Sequence, residues 1–168
     1  VVLLCGYYGE HNLGDDALLQ VLVSTLPRTQ KLLITASDPA PVLALVPSAV
    51  TVNRRSLRRC LQAALRADVL VLGGGSLLQD STSFSSLIYY LLLMAVARLG
   101  GAEVVLWGQG LGPLQRPISR VLVRTVLPFC KAASWRDQRS FDCAQRWAPK
   151  LPMVLAADPV WQMPARPW

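Results

Sequence analysis

The sequence contains one histidine, His11, and only ten acidic residues against 17 basic ones. Cys5, Cys60, Cys130 and Cys143 lie far apart, with no C-x-x-C pair and no histidine beside them, which excludes a zinc site. They read as structural thiols of a reducing compartment. The one long apolar run, Leu87 to Leu99, ends beside Arg98 and is too short for the roughly 30 Å hydrocarbon core of a bilayer, so no membrane span is expected. There is no G-x-S-x-G and no Cys-His arrangement, and therefore no sign of an activated nucleophile. No Lys follows a glycine loop in the manner of a P-loop, and the first loop lacks the G-x-G-x-x-G spacing of a dinucleotide site. Metal-ion, nicotinamide and nucleotide-hydrolysis readings all lose their usual residues.

Hydrophobic residues make up 52% of the 168, too many for a disordered tail and enough for one compact domain. Pro and Gly are spread along the chain, so no linker divides it. The formal charge of +7 invites an anionic partner, yet Arg54, Arg55, Arg58 and Arg59 cluster without interleaved aromatics. That cluster reads as a solvated helix face, nucleic acid is not expected, and a small phosphorylated or acidic substrate suits the modest excess. The chain opens on Val1 with no basic n-region or cleavage site, and it closes on Met163 to Trp168. It is therefore expected to be part of a longer protein.

Short apolar, β-branched runs alternate with runs of helical period, and Gly or Pro closes nearly every one. Strands are predicted at Val1–Cys5, Lys31–Thr35, Val50–Asn53, Asp68–Leu72, Glu103–Trp107, Ala132–Trp135 and Met153–Ala156. Helices fit between them. Asp15 or Asp16 is read as the cap of the first, which stops before Pro27, and Ser56 as the cap of another ending near Arg66. Further helices cover Phe84–Leu99, start at Pro117, and follow Asp137. The proline-punctuated stretch Ala36–Ala49 is expected to be mostly irregular. This βαβ rhythm predicts an α/β fold, a doubly wound and mostly parallel Rossmann-like sheet whose ligands sit at the carboxyl ends of the strands.

The unusual residues fall at those ends. Gly6 to Asp16 leads from strand to helix, so its N–H groups and the helix N-terminus suit an anion, with Asn12 as a binding residue and Gly14, Asp15 and Asp16 shaping the cap. Gly73, Gly74, Gly75 and Ser76 would let a ligand lie on bare backbone, close helix-to-strand packing being the alternative. Gln109, inside Gly108–Pro113, is a further candidate binding residue. Arg136 precedes Asp137, the cap of the next helix, and is either a two-pronged anion anchor or a tie to Asp80 or Asp158. His11, with no second titrating partner in view, reads as a surface or hydrogen-bonding residue rather than a general acid or base.

Taken in order, Gly6-Tyr7-Tyr8-Gly9 with Asn12-Leu13-Gly14-Asp15-Asp16-Ala17, Gly73 to Asp80, Gly108 to Pro113, Arg136-Asp137 and Ala157-Asp158-Pro159 resemble the polysaccharide pyruvyl transferase family in its CsaB-type branch. The resemblance implies a bacterial two-domain enzyme similar to the GT-B glycosyltransferases, with residues 1–168 as its Rossmann-like N-terminal domain and the C-terminal domain outside this chain. It implies transfer of pyruvate from phosphoenolpyruvate, as a ketal, onto a sugar of a lipid-linked or nucleotide-free polysaccharide precursor. Such a ketal serves cell-wall biogenesis and the anchoring of surface-layer proteins. It also implies no cofactor, and a location in the cytoplasm or at the inner face of the membrane. The family's second half supplies a histidine and a lysine without counterpart here, so no catalytic acid or base is assigned, and residues 1–168 alone are expected to fold without catalysing. A GT-B-type glycosyltransferase domain and a non-catalytic anion-binding fragment stay open as alternatives.

Overall fold

Four apolar residues in succession suit a strand covered on both faces, and the first of them, β1 (Val2–Cys5), is buried throughout. The computed structural model describes residues 1–163, so the Pro164–Trp168 end lies outside the described residues. After β1 come α1 (Leu13–Thr25), β2 (Leu32–Ala36), α2 (Pro39–Leu45), β3 (Val50–Asn53) and α3 (Leu57–Arg66). Then follow β4 (Val69–Leu78), α4 (Phe84–Leu99), β5 (Glu103–Leu111), α5 (Pro117–Val126), β6 (Ala132–Trp135), α6 (Gln138–Trp147) and β7 (Met153–Leu155). A short 3-10 turn, Pro159–Gln162, packs on α1.

All seven strands form one parallel sheet in the order β3-β2-β1-β4-β5-β6-β7. The α/β, doubly wound expectation holds. Leu19 and Leu22 of α1 and Val42 of α2 join Leu4, Ile34 and Tyr8 in one core; Cys60, Leu87, Met94, Val123 and Ala144 of α3 to α6 join Leu3, Leu70, Leu106 and Trp135 in the other. The chain therefore winds away from β1 on one face and from β4 on the other. Their adjacent carboxyl ends form the crevice where a doubly wound sheet takes its ligands.

Three expectations need correction. The helix cap is Asn12, whose side chain accepts from the Gly14 N–H at 3.0 Å, while Asp15 and Asp16 lie inside the first turn of α1. The Ala36–Ala49 stretch is not wholly irregular: Asp38 caps α2 and Pro39 fills its first turn, a position where the missing N–H has no helical partner to lose. Ser56 stands at the head of α3 but makes no capping hydrogen bond with its side chain.

The glycine segments after Leu72 and Trp107, expected to be loops, are strand. Gly73 pairs with Trp107, Gly75 with Gln109 and Leu78 with Leu111, with a register shift between Gly75 and Leu78. Parallel pairing thus continues through residues whose composition signals a turn. Gly74 and Gly75 have φ of +78° and +74°, so the ladder persists with a kink that other residues would resist.

Candidate functional site

A cleft of about 470 Å³ opens where β1 and β4 part. Tyr7 from the β1 loop, Asp15 from α1, Arg54 from the end of β3, Ser76 and Leu77 from β4, and Ser83, Ser86 and Tyr90 from α4 line it. Two arginines bound the region. The Arg54 Nη1 donates to Glu10 Oε1 at 3.0 Å, its Nη2 to the Tyr90 hydroxyl at 3.3 Å, and its guanidinium carbon stands 4.6 Å from the centroid of the Tyr7 ring. Ser37 completes the hydrogen bonding of Glu10. Arg136 donates from Nη1 to Asp158 at 2.9 Å and from Nη2 to the Ser76 hydroxyl at 3.0 Å.

Burial, and secondarily the charge of Asp16, raise the Asp15 carboxyl above its usual value; Arg54 and Arg136 both pull it down, so both guanidiniums act on this one group. Tyr90 is shifted up, chiefly by burial, and remains a neutral phenol.

The glycines differ in what surrounds them. A side chain on Gly73 would lie 2.3 Å from the Tyr8 hydroxyl and 2.6 Å from Leu22, and one on Gly74 would lie 2.7 Å from Leu18. These two satisfy close packing. Of the three, Gly75 alone borders open space: a methyl carbon added there would meet Asp15 Oδ1 at 3.5 Å and nothing nearer. Tyr8 is fully buried and donates to the Gly73 carbonyl at 2.7 Å, which binds the first glycine loop to the second glycine segment.

Gln109 is fully buried, and its amide is spent on the same segment. Its Nε2 donates to the carbonyls of Leu72 and Gly74 at 3.1 and 2.8 Å, and its Oε1 accepts from the Leu77 N–H at 3.4 Å. It thereby shapes the strand that carries Ser76 and has no amide group free for the cleft. Asn12 stands exposed at the cap of α1, outside the cleft lining. Asp137 caps α6 with both carboxylate oxygens on Ser140. Asp80 is bound to the N–H groups of Gln115 and Arg116 at 2.7 and 2.9 Å and so fastens the end of β4 to the start of α5. The adjacent Ser119 hydroxyl, then these N–H groups, lower its pKa; Ser119 Oγ makes no hydrogen bond of good geometry, so the N–H pair is the firmer cause. His11 is exposed, with φ of +57°, and lies 3.5 Å from Asp38.

In the sequence Arg54 is indistinguishable in type from its basic neighbours Arg55, Arg58 and Arg59, and it was not among the expected site residues. Its side chain is 11% exposed whereas those three residues face solvent. The available signal was position: Arg54 directly follows Asn53, the last residue of β3, and so falls on the ligand edge. Burial raises the Cys5 and Cys130 thiols to about 12, which fits structural cysteines. Among the described residues no helix is long and apolar enough to cross a membrane.

A family model described as polysaccharide pyruvyl transferase matches residues 12–168. No curated protein matches the chain. Among solved structures, the chain is similar to HepE from Anabaena in complex with UDP, with a TM-score of 0.61 at 10% sequence identity over 94% of this chain. The chain spans 43% of the length of HepE. At that identity the likeness shows a shared fold.

Proposed function

The chain belongs to the polysaccharide pyruvyl transferase family, and on that premise we propose that it forms one wall of a site moving pyruvate from phosphoenolpyruvate onto a sugar of a polysaccharide precursor. Support comes from the cleft, where Arg54, the Asp15 carboxyl and several hydroxyls line the switch point of the sheet and Arg136 reaches the bordering Ser76 hydroxyl. Phosphoenolpyruvate presents a carboxylate and a phosphate on one small carbon frame, and the planar fork of a guanidinium such as that of Arg136 suits either anionic end.

Ketal formation needs a proton at the enol methylene, which leaves an oxocarbenium-like carbon. One sugar hydroxyl adds there and loses its proton; the carbon–phosphate oxygen bond then breaks, phosphate departs, and the second hydroxyl closes the ring as its proton leaves. In this reading Arg136 anchors the donor in exchange for its contact with Asp158, Ser76 and the Gly75 backbone border the phosphate, and Asp15 holds a proton. Gln109 and Tyr8 act as positioning residues. The rest of the site comes from outside this chain, in the CsaB-type two-domain manner, and the acceptor is a lipid-linked or nucleotide-free cell-wall precursor met in the cytoplasm or at the membrane's inner face. Surface-layer anchoring is the use proposed for the product.

The observation that carries the proposal is the family match over residues 12–168. HepE was solved with UDP, which makes a nucleotide sugar the appropriate control donor. In the complete protein, release of orthophosphate should require both phosphoenolpyruvate and acceptor. Turnover with a nucleotide sugar and none with phosphoenolpyruvate would overturn the assignment.

A further inference from the structure

A second hollow, of about 460 Å³, lies between α5 and α6 beside the end of β5. Three guanidinium groups line it, Arg120 from α5 and Arg139 and Arg146 from α6. Backbone from Gly110 to Leu114 forms another border, and Cys143 sits among the arginines. Arg139, Cys143 and Arg146 are spaced by four and three residues, which places them on one face of α6.

The cations there are not neutralised. No carboxylate among the described residues forms an ion pair with Arg120, Arg139 or Arg146. Arg120 uses Nε on the Leu114 carbonyl at 2.9 Å, which leaves its two terminal nitrogens available. The carboxylate in the lining, Asp137, has both oxygens engaged by Ser140 at 2.8 and 2.7 Å. Asp142, on the same helix, accepts from Gln138 at 2.7 Å. The Cys143 thiol registers the convergence: burial raises its pKa most, while Arg146, Arg139 and Arg120 all lower it.

We infer that this hollow binds a diphosphate group. Arg139 and Arg146 arise about 10 Å apart along the axis at 1.5 Å per residue and approach the hollow from either side of Cys143, so an anion with more than one phosphoryl group can meet both. A diphosphate offers two phosphoryl groups to two forks, with Arg120 closing from the opposite helix, and charge-assisted contacts of this kind are strong and geometrically selective. Ser76 borders both this hollow and the cleft, so a molecule held here by its diphosphate lies next to the cleft. The assignment rests on the arginines and not on the proposed donor chemistry.

Inorganic pyrophosphate titrated calorimetrically into the protein tests it without turnover. The wild type should bind pyrophosphate more tightly than orthophosphate, and the R139Q/R146Q variant should bind it at least about tenfold more weakly at an unchanged melting temperature. R55Q/R58Q, which removes the same charge elsewhere, should bind as the wild type does. Equal affinity in R139Q/R146Q, an equal loss in R55Q/R58Q, or no preference over orthophosphate would overturn the inference. A second pair, R120Q/R146Q, repeats the test should R139Q/R146Q fail to fold. Because no donor or acceptor is present, loss of this site and loss of pyruvyl transfer are separately visible.

Discussion

Arg54 and Arg136 occupy corresponding places on the two arms of the sheet, each the first residue after a strand at the ligand edge, and each within 3.0 Å of one carboxylate. Their surroundings differ. Arg54 lies against the Tyr7 ring, touches Tyr90, and is 11% exposed; Arg136 is 31% exposed and joins Asp158 to Ser76 across the β4 and β5 ends. A guanidinium packed on an aromatic face has lost its water and depends on its carboxylate, whereas one nearer solvent can exchange a carboxylate for an arriving anion at lower cost. Similar sequence positions thus yield one arginine enclosed by aromatic rings and one held nearer solvent.

The largest effect is expected at Arg136. Arg136→Ala should lower transfer about tenfold to hundredfold, the equivalent of losing one charged hydrogen-bonding contact of about 1.5–3 kcal/mol, with little change in melting temperature. Arg136→Lys should not restore it, since an ammonium lacks the two-pronged geometry. Kinetics that decline only in step with stability would mark Arg136 as a second Arg54.

Arg54→Met should reverse the order, costing about 1–3 kcal/mol of stability by leaving the part-buried Glu10 without its cation. Chemical denaturation measures this directly. A stable Arg54→Met protein with lost turnover would make the two arginines equivalent and break the comparison.

Asp15, acted on by both arginines, should give a smaller effect of opposite sign. Its folded pKa lies above the unfolded one, so the favourable contribution is complete below the unfolded carboxyl range and is lost as pH rises through the folded value. Asp15→Asn should therefore melt a few degrees higher than the wild type at neutral pH, converge with it in acid, and transfer pyruvate poorly. Melting curves across pH decide this, and a less stable Asp15→Asn at neutral pH would contradict it.

Asp80 should show the mirror image with the least effect on the site. Its lowered pKa means that stability is present above the unfolded carboxyl range and is lost as pH falls through the folded value. Asp80→Asn should melt lower at neutral pH and lose that deficit in acid. Its effect on transfer should follow stability alone.

Local chemistry explains what could be read from the sequence. Apolar runs closed by Gly or Pro marked most strands, and Gly100 marked the end of α4, because burial on both faces and helix termination are decided by near neighbours. The doubly wound order then located the ligand edge. What stayed hidden depends on distant partners. The strand character of Gly73–Leu78 comes from Trp107, Gln109 and Leu111 across the ladder. The capping role passed to Asn12 by a shift of a few residues, within the uncertainty of any helix boundary. Arg54 was masked by its basic neighbours; its place directly after β3 marks the sheet edge, but its contacts with Tyr7 and Glu10 depend on residues remote in sequence. Gln109 looked like a ligand contact for the same reason, since the Leu72 and Gly74 carbonyls it holds are remote in sequence.

Whether this wall of the fold serves pyruvyl transfer from phosphoenolpyruvate is tested most directly by the mass of a defined sugar acceptor. The complete protein is incubated with that acceptor and carbon-13-labelled phosphoenolpyruvate and, separately, with a nucleotide sugar as donor. The expected result is a labelled product heavier by one pyruvate less one water with the first donor, and unchanged acceptor with the second. A glycosylated acceptor with the nucleotide sugar, and none labelled by phosphoenolpyruvate, would contradict it.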